Sequence, residues 1–269
     1  MRLANRTIVI TGATGLLGRE HTKAILENGG NVVLLDIDSP ALEEFGIELE
    51  GEFGGRFRTF NCDITNRTAL IEVLSSITPI FGIPTRLINN AAINPSVEKN
   101  GDRFNRIEDI KKEVWDLEFD VGLWGAFECA RIFGQAMIDN KLHGSIINIS
   151  SDHGIMAPNQ DLYKIEGVNP QNQPVKPVTY SLIKHAIIGL TRYLSTYWAS
   201  DGIRVNTLCP GGVLNGQPES FLNKFNNLVP LGRPANPEEY RGAIIFMLSE
   251  DSSYMTGATV VIDGGRSVW

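Results

Sequence analysis

The chain has 269 residues, of which 42% are hydrophobic and 20% are charged. This composition supports a large buried core and argues against intrinsic disorder. Its 24 Lys and Arg residues against 31 Asp and Glu residues leave a net charge of −7, which provides no basic surface for nucleic acid or an anionic membrane. Three widely spaced cysteines, Cys62, Cys129 and Cys209, argue against a disulfide framework and are typical of a reducing compartment.

The N-terminus shows no targeting sequence, and the histidines show no metal-binding motif. No signal peptide is recognisable at the N-terminus, and no apolar run approaches the roughly 20 residues that span a bilayer. We therefore expect a cytoplasmic protein that does not enter a membrane. The four histidines are scattered without ligand spacing, so we expect no metal site.

Short β-branched runs alternate along the chain with segments of helical periodicity. The runs predict strands at residues 7–11, 31–36, 57–60, 86–89, 145–150, 204–209 and 259–262. The periodic segments predict helices at about 16–28, 66–77, 107–140, 178–200 and 237–249. Apolar strands separated by helices predict an α/β fold, with a parallel sheet of about seven strands and helices on both faces. Two segments, 94–106 and the proline-rich 158–177, lack periodicity and are predicted loops, and a loop as long as the second is usually disordered or functional.

A glycine-rich segment, residues 11–18, lies between the first predicted strand and the first predicted helix. Glycine allows a tight turn and lets the backbone approach a pyrophosphate, which the free N–H groups of the helix then bind. The candidate phosphate-binding residues are Gly12, Thr14, Gly15, Leu17 and Gly18. The segment alone is weak evidence, because a tight turn that binds no phosphate can have the same glycine pattern.

An acidic residue, Asp36, ends the second predicted strand, downstream of the glycine-rich segment. A carboxylate there accepts hydrogen bonds from both ribose hydroxyls of an adenosine and repels a 2′-phosphate. Ile37 follows at the place where an arginine would otherwise bind that phosphate. We therefore predict NAD rather than NADP. The alternative is a solvated acid at a strand end.

A tyrosine and a lysine one helical turn apart, Tyr180 and Lys184, open the helix after the fifth strand. This spacing places both side chains on one helix face. A phenol with a pKa near 10 becomes a base at neutral pH if its charged form gains about 4 kcal/mol. One ammonium at about 4 Å provides that energy at an effective dielectric constant near 20. Assisted by the positive charge of an oxidised nicotinamide, the pair is therefore a candidate general base, although the spacing is common and by itself favours a surface pair.

Further motifs follow in order along the chain. They are residues 11–18, Asp36, residues 61–65 (Asn-Cys-Asp-Ile-Thr), 89–92 (Asn-Asn-Ala-Ala), 148–151 (Asn-Ile-Ser-Ser), 180–184, 210–211 (Pro-Gly), 256–257 (Thr-Gly) and 263–265 (Asp-Gly-Gly). With these motifs the chain resembles the short-chain dehydrogenase/reductase family over nearly its whole length. The resemblance implies a single NAD-binding Rossmann domain over residues 1–269 and an oxidoreductase that converts a secondary alcohol and a ketone into each other.

The resemblance also implies a role for each matching residue. Tyr180 would be the acid/base, Lys184 would lower its pKa and bind the nicotinamide ribose, and Ser151 would bind the reacting oxygen. Ser151 is preferred to Ser150 because the family's serine takes the second position of the pair. The other implied cofactor contacts are Asp63 and Ile64 at adenine, Asn90 and Ala91 on the adenosine side, and Pro210, Gly211 and Val213 at the nicotinamide amide. A homotetramer or homodimer is expected through the helices at about 107–140 and 178–200.

Three departures from the family's pattern stand out. The spacing of Gly15 resembles the family's longer, sugar-nucleotide-modifying branch, although the chain length and the 263–265 motif fit the short branch. Gly122 stands where the family carries an Asn that supports a proton relay, so water and backbone, or Asp120, would take its place, or activity would be weak. Ser151 and Tyr180 are farther apart in the chain than is usual for the family. The extra length is an insert at about 157–177, predicted beside the substrate.

The substrate is predicted from the insert and from a closer likeness. Polar residues in and beside the insert favour a hydroxyl-rich substrate, although a solvated loop would look the same, and His153 is a candidate contact or a structural histidine. Segments 151–158, 176–181, 210–217 and 265–269 resemble a bacterial subgroup of flagellin-modification and surface-glycan dehydrogenases. This likeness implies a sugar, sugar phosphate or nucleotide sugar. Two alternatives remain open: an epimerase or dehydratase that uses bound NAD, and a catalytically silent NAD-binding protein.

Overall fold

A computed structural model describes residues 1–94 and 105–269. Most of the predicted loop at 94–106 therefore lies outside the described residues. Seven strands form one sheet in the order β3-β2-β1-β4-β5-β6-β7, and every pair is parallel. The strands are β1 Thr7–Thr11, β2 Asn31–Asp36, β3 Phe57–Asn61, β4 Arg86–Asn89, β5 Gly144–Ile149, β6 Ile203–Pro210 and β7 Thr259–Ile262. The α/β prediction and all seven predicted strands are confirmed, and the observed ends lie at or next to the predicted ones.

The helices are α1 Leu16–Glu27, α2 Ser39–Phe53, α3 Arg67–Phe81, α4 Lys112–Phe119, α5 Gly125–Asp139, α6 Val178–Tyr197, α7 Glu219–Asn226 and α8 Arg241–Leu248. The helices cover both faces of the sheet. Side chains alternate between the two faces along a strand, so neighbouring residues of one strand pack against different helices. Ile8 and Ile10 of β1 pack with residues of α1 and α8. Val9, between them, packs on the other face with residues of α3 and α5. The sheet is thus doubly wound.

Two of the described helices, α2 and α7, were not predicted from the sequence. In α2, Leu42, Phe45, Leu49 and Phe53 are buried at helical spacing, and the Asp38 side chain caps the first turn by accepting from the backbone N–H of Ala41 at 3.0 Å. Both signals are visible in the sequence. The other helix, α7, is short and buries only Phe225, so it carries too short a periodic pattern to be recognised.

The predicted helix at 107–140 begins later and is interrupted. A π-helical turn, Asp120–Trp124, joins α4 to α5. Such turns inside α-helices are frequent at functional sites. The predicted helix at 237–249 also starts differently, as a 3-10 turn at Pro237–Tyr240 before α8.

The segment 158–177 contains no α-helix or strand, as predicted, and its described regular structure is limited to short 3-10 turns. Gln173 holds the loop together: its amide donates to the carbonyls of Ile165 and Val168 at 2.9 and 2.7 Å and accepts from the Ile165 N–H. Leu162 anchors the loop against Phe225 of α7. Within residues 1–94 and 105–269, no helix is long and apolar enough to cross a lipid bilayer.

Candidate active site

A cavity of about 800 Å³ opens at the carboxyl ends of the strands. It lies where β1 and β4 are neighbours and the strand order reverses, which is where doubly wound sheets bind ligands. Every residue predicted for the site lines this cavity except Gly18. The parallel sheet therefore brings together residues that are spread along the chain from Gly12 to Val213.

The glycine-rich turn after β1 has the shape of a phosphate cradle. Gly12 has a φ of +61°, and a Cβ there would lie 2.8 Å from the Cα atom of Ala91. A Cβ on Gly18 would clash with the carbonyl oxygen of Gly12. Helix α1 starts after Gly15 without a side-chain cap, so its first N–H groups are available to an anion. The residues present thus fit a pyrophosphate.

Asn90 supports this turn from the neighbouring strand. Its side-chain amide donates to the carbonyls of Thr11 and Gly12 at 3.1 and 2.8 Å. The Thr11 hydroxyl oxygen accepts from the backbone N–H groups of Asn90 and Ala91, both at 3.0 Å. The Asn90 side chain, predicted to contact the adenosine, is thus occupied in holding the turn, and Thr11 is a supporting residue that sequence reasoning missed.

Asp36 faces the same turn from the end of β2. Its Oδ2 accepts from the backbone N–H and the hydroxyl of Thr14 at 2.9 and 2.7 Å, and its Oδ1 accepts from the Ile37 N–H at 2.8 Å. The carboxylate is therefore oriented toward the cradle rather than free in solvent. Farther along this end of the cavity lie Asp63 and Ile64, with the Asp63 carboxylate accepting from Thr65.

Lys184 and Tyr180 lie side by side on α6. Lys184 is buried, and its Nζ donates to the Ile149 carbonyl at 2.9 Å and lies 5.6 Å from the centroid of the Tyr180 ring. Burial, with a smaller effect of the nearby Lys176 charge, lowers the pKa of Lys184 to about 8. Burial raises the pKa of Tyr180 to about 12, against a hydrogen bond with Ser151 that lowers it. Without a cofactor, burial therefore outweighs the hydrogen bond with Ser151, and the phenol stays protonated at neutral pH.

The two serines after β5 have different partners. The Ser150 hydroxyl donates to the Lys184 carbonyl at 2.7 Å and thereby ties α6 to the sheet. The Ser151 hydroxyl donates to the Asp152 carboxylate at 2.8 Å. Arg266, from the end of the chain, donates to the other oxygen of that carboxylate at 2.6 Å. Asp152 and Arg266 thus support Ser151, and sequence reasoning assigned neither of them a role there.

His153 packs on the tyrosine. Its ring meets the Tyr180 ring edge-on, with the centroids 6.0 Å apart. Both ring nitrogens are buried and have no hydrogen-bond partner among the described residues. Burial lowers the pKa of His153 to about 4, and the charges of Arg266 and Lys176 act in the same direction against the carboxylate of Asp152. The imidazole is therefore neutral at pH 7.

Gly122 lies in the π-helical turn against α6. A Cβ there would lie 2.7 Å from the Cγ2 atom of Ile183. The side chain of an Asn at this position would therefore collide with Ile183. Asp120, considered as a replacement for the relay, is exposed and does not line the cavity.

Two protein-family models match this chain. The family model described as short chain dehydrogenase matches residues 6–164, and the one described as Enoyl-(Acyl carrier protein) reductase matches residues 167–267.

Two curated relatives and one solved structure cover nearly the whole chain. The 3-oxoacyl-[acyl-carrier-protein] reductase FabG of Thermotoga maritima is 30% identical over 98% of this chain and 99% of its own. The D-arabinitol 2-dehydrogenase [ribulose-forming] of Scheffersomyces stipitis is 31% identical over 100% of this chain and 96% of its own. The crystal structure of a short chain dehydrogenase from Leptospira borgpetersenii with bound NAD+ has a TM-score of 0.85 at 29% identity, over 99% and 94% of the two chains. The chain therefore belongs to the short-chain dehydrogenase/reductase family.

Proposed function

We propose that the protein is an NAD-dependent oxidoreductase of a secondary alcohol, with Ser151, Tyr180 and Lys184 as its catalytic residues. The observation that carries this proposal is the shared cavity: the glycine-rich cradle and Asp36 line one end, and the three catalytic candidates line the other. Pro210, Gly211 and Val213, which line the same cavity, would hold the nicotinamide end of a dinucleotide. We also propose that residues 1–269 act as one NAD-binding unit.

The chain's own residues handle the proton. Tyr180 takes the proton of the substrate hydroxyl. Ser151, whose one O–H donates to Asp152 in the structure, would donate it to the reacting oxygen of the substrate instead. Lys184 stabilises the phenolate, but burial leaves the pKa of Tyr180 at about 12, so a further positive charge is needed. When bound, an oxidised nicotinamide supplies that charge and accepts the hydride from the substrate carbon. Tyr180 would thus act as a base with the oxidised cofactor in place.

Asp36 supports NAD as the cofactor. Its carboxylate is negative and points into the cradle, so a 2′-phosphate would meet a like charge. Both carboxylate oxygens already accept hydrogen bonds, and a ribose diol would take the place of the Thr14 hydroxyl. Ile37, whose side chain is exposed beside it, offers no compensating cation.

A hydroxyl-rich substrate is proposed from polar residues that line the cavity, among them Ser151, Asp152 and Lys176, and from the relative named D-arabinitol 2-dehydrogenase. Within that class we propose a sugar, sugar phosphate or nucleotide sugar of bacterial surface-glycan synthesis, on the likeness of segments 151–158, 176–181 and 210–217. The insert at 157–177 contributes Leu162, Tyr163 and Lys176 to the lining. We also propose a homotetramer or homodimer, since Trp124, Tyr193 and Tyr197 expose aromatic surface around α5 and α6.

The test is NADH absorbance with NAD and a panel of sugars, polyols, sugar phosphates and nucleotide sugars. A substrate-dependent rise that is lost in Tyr180→Phe, while NAD still binds, supports the proposal. Tyr254→Phe is the control, because this tyrosine is exposed, does not line the cavity and lies outside the aromatic surface proposed for subunit contact. Unchanged turnover in Tyr180→Phe would refute the mechanism. A converted substrate without NADH release would instead identify an epimerase or dehydratase.

A further inference from the structure

Arg266 is a buried cation with unused donors at the substrate end of the cavity. Its side chain is 4% exposed, and one nitrogen, Nη1, donates to Asp152. The other two, Nε and Nη2, are buried and have no partner in the described part of the chain. Leaving buried donors of a charged group unpaired costs free energy. Arg266 lines the cavity, and a ligand group that reached both donors and accepted their hydrogen bonds would recover that cost.

The guanidinium of Arg266 is held in place. Its Cζ atom lies 5.1 Å from the centroid of the Phe225 ring, and the Asp152 carboxylate fixes the opposite side. A planar fork of donors in a fixed orientation is suited to bidentate recognition of a carboxylate or a phosphate.

Lys176, from the insert, provides a second cation. Its Nζ lies 4.0 Å from the centroid of the Tyr180 ring and donates to the Asn94 side chain at 2.6 Å. An ammonium has three donors, so others remain available. Burial lowers the pKa of Lys176 to about 8, while the charges of Asp152 and Glu118 act in the opposite direction but do not overcome it. An anion beside it would stabilise the charged form.

The charges that line this end of the cavity do not balance. Lys176, Lys184 and Arg266 are cations. Asp152 is the acidic residue beside them in the lining, and the Glu118 carboxylate acts on Lys176 from outside the lining. That carboxylate already accepts from Arg266, Ser151 and the backbone N–H of His153. The acidic residues Asp36, Asp38 and Asp63 line the other end, next to the cradle. The excess of positive charge is therefore local to the substrate.

We propose that the substrate carries an anionic group, a phosphate or a carboxylate, which binds between Arg266 and Lys176 while its reacting hydroxyl faces Tyr180. The inference rests on the proposed function and narrows its substrate class to an anionic sugar or polyol derivative. The neutral imidazole of His153 donates one further hydrogen bond to the same substrate.

The first test measures anion binding, which does not depend on turnover. Inorganic phosphate and acetate are titrated by calorimetry into the protein, with and without saturating NAD. The variants are Arg266→Lys, which keeps a charge for Asp152, and Lys176→Gln. Lys224→Gln is the control, because this lysine is exposed, bonds to the Lys164 carbonyl and does not line the cavity.

We expect phosphate or acetate to bind the NAD-saturated protein with a dissociation constant at least ten-fold lower than in either cavity variant. The control should bind as the unmodified protein does. Equal binding in all four proteins would overturn the inference, because any anion would then bind in the cradle or on the surface. The anion that binds with the lower dissociation constant, phosphate or acetate, indicates whether the site recognises a phosphate or a carboxylate. Thermal melting shows whether each variant is folded.

The second test compares kcat/KM for D-arabinitol, D-arabinitol 5-phosphate and D-arabinonate. We expect an anionic compound to exceed the neutral polyol at least ten-fold, and this ratio to fall at least ten-fold in Arg266→Lys. A preference for the neutral polyol that the variant leaves unchanged would overturn the inference and leave the proposed function standing. NAD reduction by none of the compounds on the wider panel, with Arg266-dependent phosphate binding intact, would refute the proposed function and leave the anion site standing.

Discussion

The Asp152 carboxylate and the Arg266 guanidinium lie far apart in the chain and meet at 2.6 Å, with each side chain 4% exposed. The pair connects the turn after β5, which carries Ser151, to the end of the chain. Removing one member of such a pair leaves a buried charge without its partner.

We expect Arg266→Met to lower the free energy of unfolding by about 3–5 kcal/mol, the usual cost of breaking a buried ion pair. The double variant Asp152→Asn/Arg266→Met should lose less than the sum of the two single variants, because it leaves no unpaired charge. The Asn oxygen can still accept from Ser151. Urea unfolding of the four proteins measures the coupling, and additive losses would show that the pair contributes no specific stability.

Asp36 should decide between the two nicotinamide dinucleotides. In Asp36→Asn the Thr14 contacts can persist while the negative charge is lost, so NADP should gain affinity relative to NAD. We expect the ratio of the two dissociation constants to change at least ten-fold, which corresponds to about 1.4 kcal/mol. Fluorescence titration with each dinucleotide measures it. Asp38→Asn, which alters the neighbouring carboxylate, is the control, and an equal change in both variants would contradict a specific role for Asp36.

Gly122 is required by its contact with Ile183. Gly122→Ala should lower the free energy of unfolding by about 1–3 kcal/mol, as overpacking of a tight contact usually does. In an Ile183→Ala background, which lacks the colliding Cγ2 atom, Gly122→Ala should cost less than it does in the unmodified protein. Thermal unfolding of the single and double variants gives the comparison. If Gly122→Ala is as stable as the unmodified protein, α4, α5 and α6 are not tightly packed here.

His21 should make the protein acid-sensitive. It is fully buried in α1, and burial lowers its pKa from 6.5 to about 3. Between these values the unfolded chain binds a proton that the folded chain does not, so the free energy of unfolding falls as the pH decreases from 6.5. By pH 5 the His21 contribution has lowered the free energy of unfolding by about 2 kcal/mol.

The measurement is urea unfolding at pH 7 and pH 5 for the unmodified protein and for His21→Gln. The loss between the two pH values should be about 2 kcal/mol smaller in the variant. His185→Gln, which replaces an exposed histidine, is the control. The same loss in all three proteins would mean that other groups cause the acid sensitivity.

The sequence by itself determined the layers of this fold. Every strand was predicted close to its observed ends. The central strands are buried and largely apolar, and glycine, proline and polar residues bound them, whereas the edge strand β3 is mostly exposed. The resemblance to the family identified cofactor and catalytic candidates that, apart from Gly18, do line one cavity. Helix α2 was within reach of the same reasoning through its capping Asp38 and its helical apolar spacing.

Only the tertiary structure decided what these residues face. Arg266 and Asp152 are ordinary charged residues in the sequence, and they become partners because β5 and β7 end at the same edge of the sheet. Gly122 is explained by Ile183, which lies on another helix, and the pKa of Tyr180 is set by burial more than by Lys184. A sequence pattern records spacing along one element, whereas desolvation and contact between distant elements depend on how those elements pack.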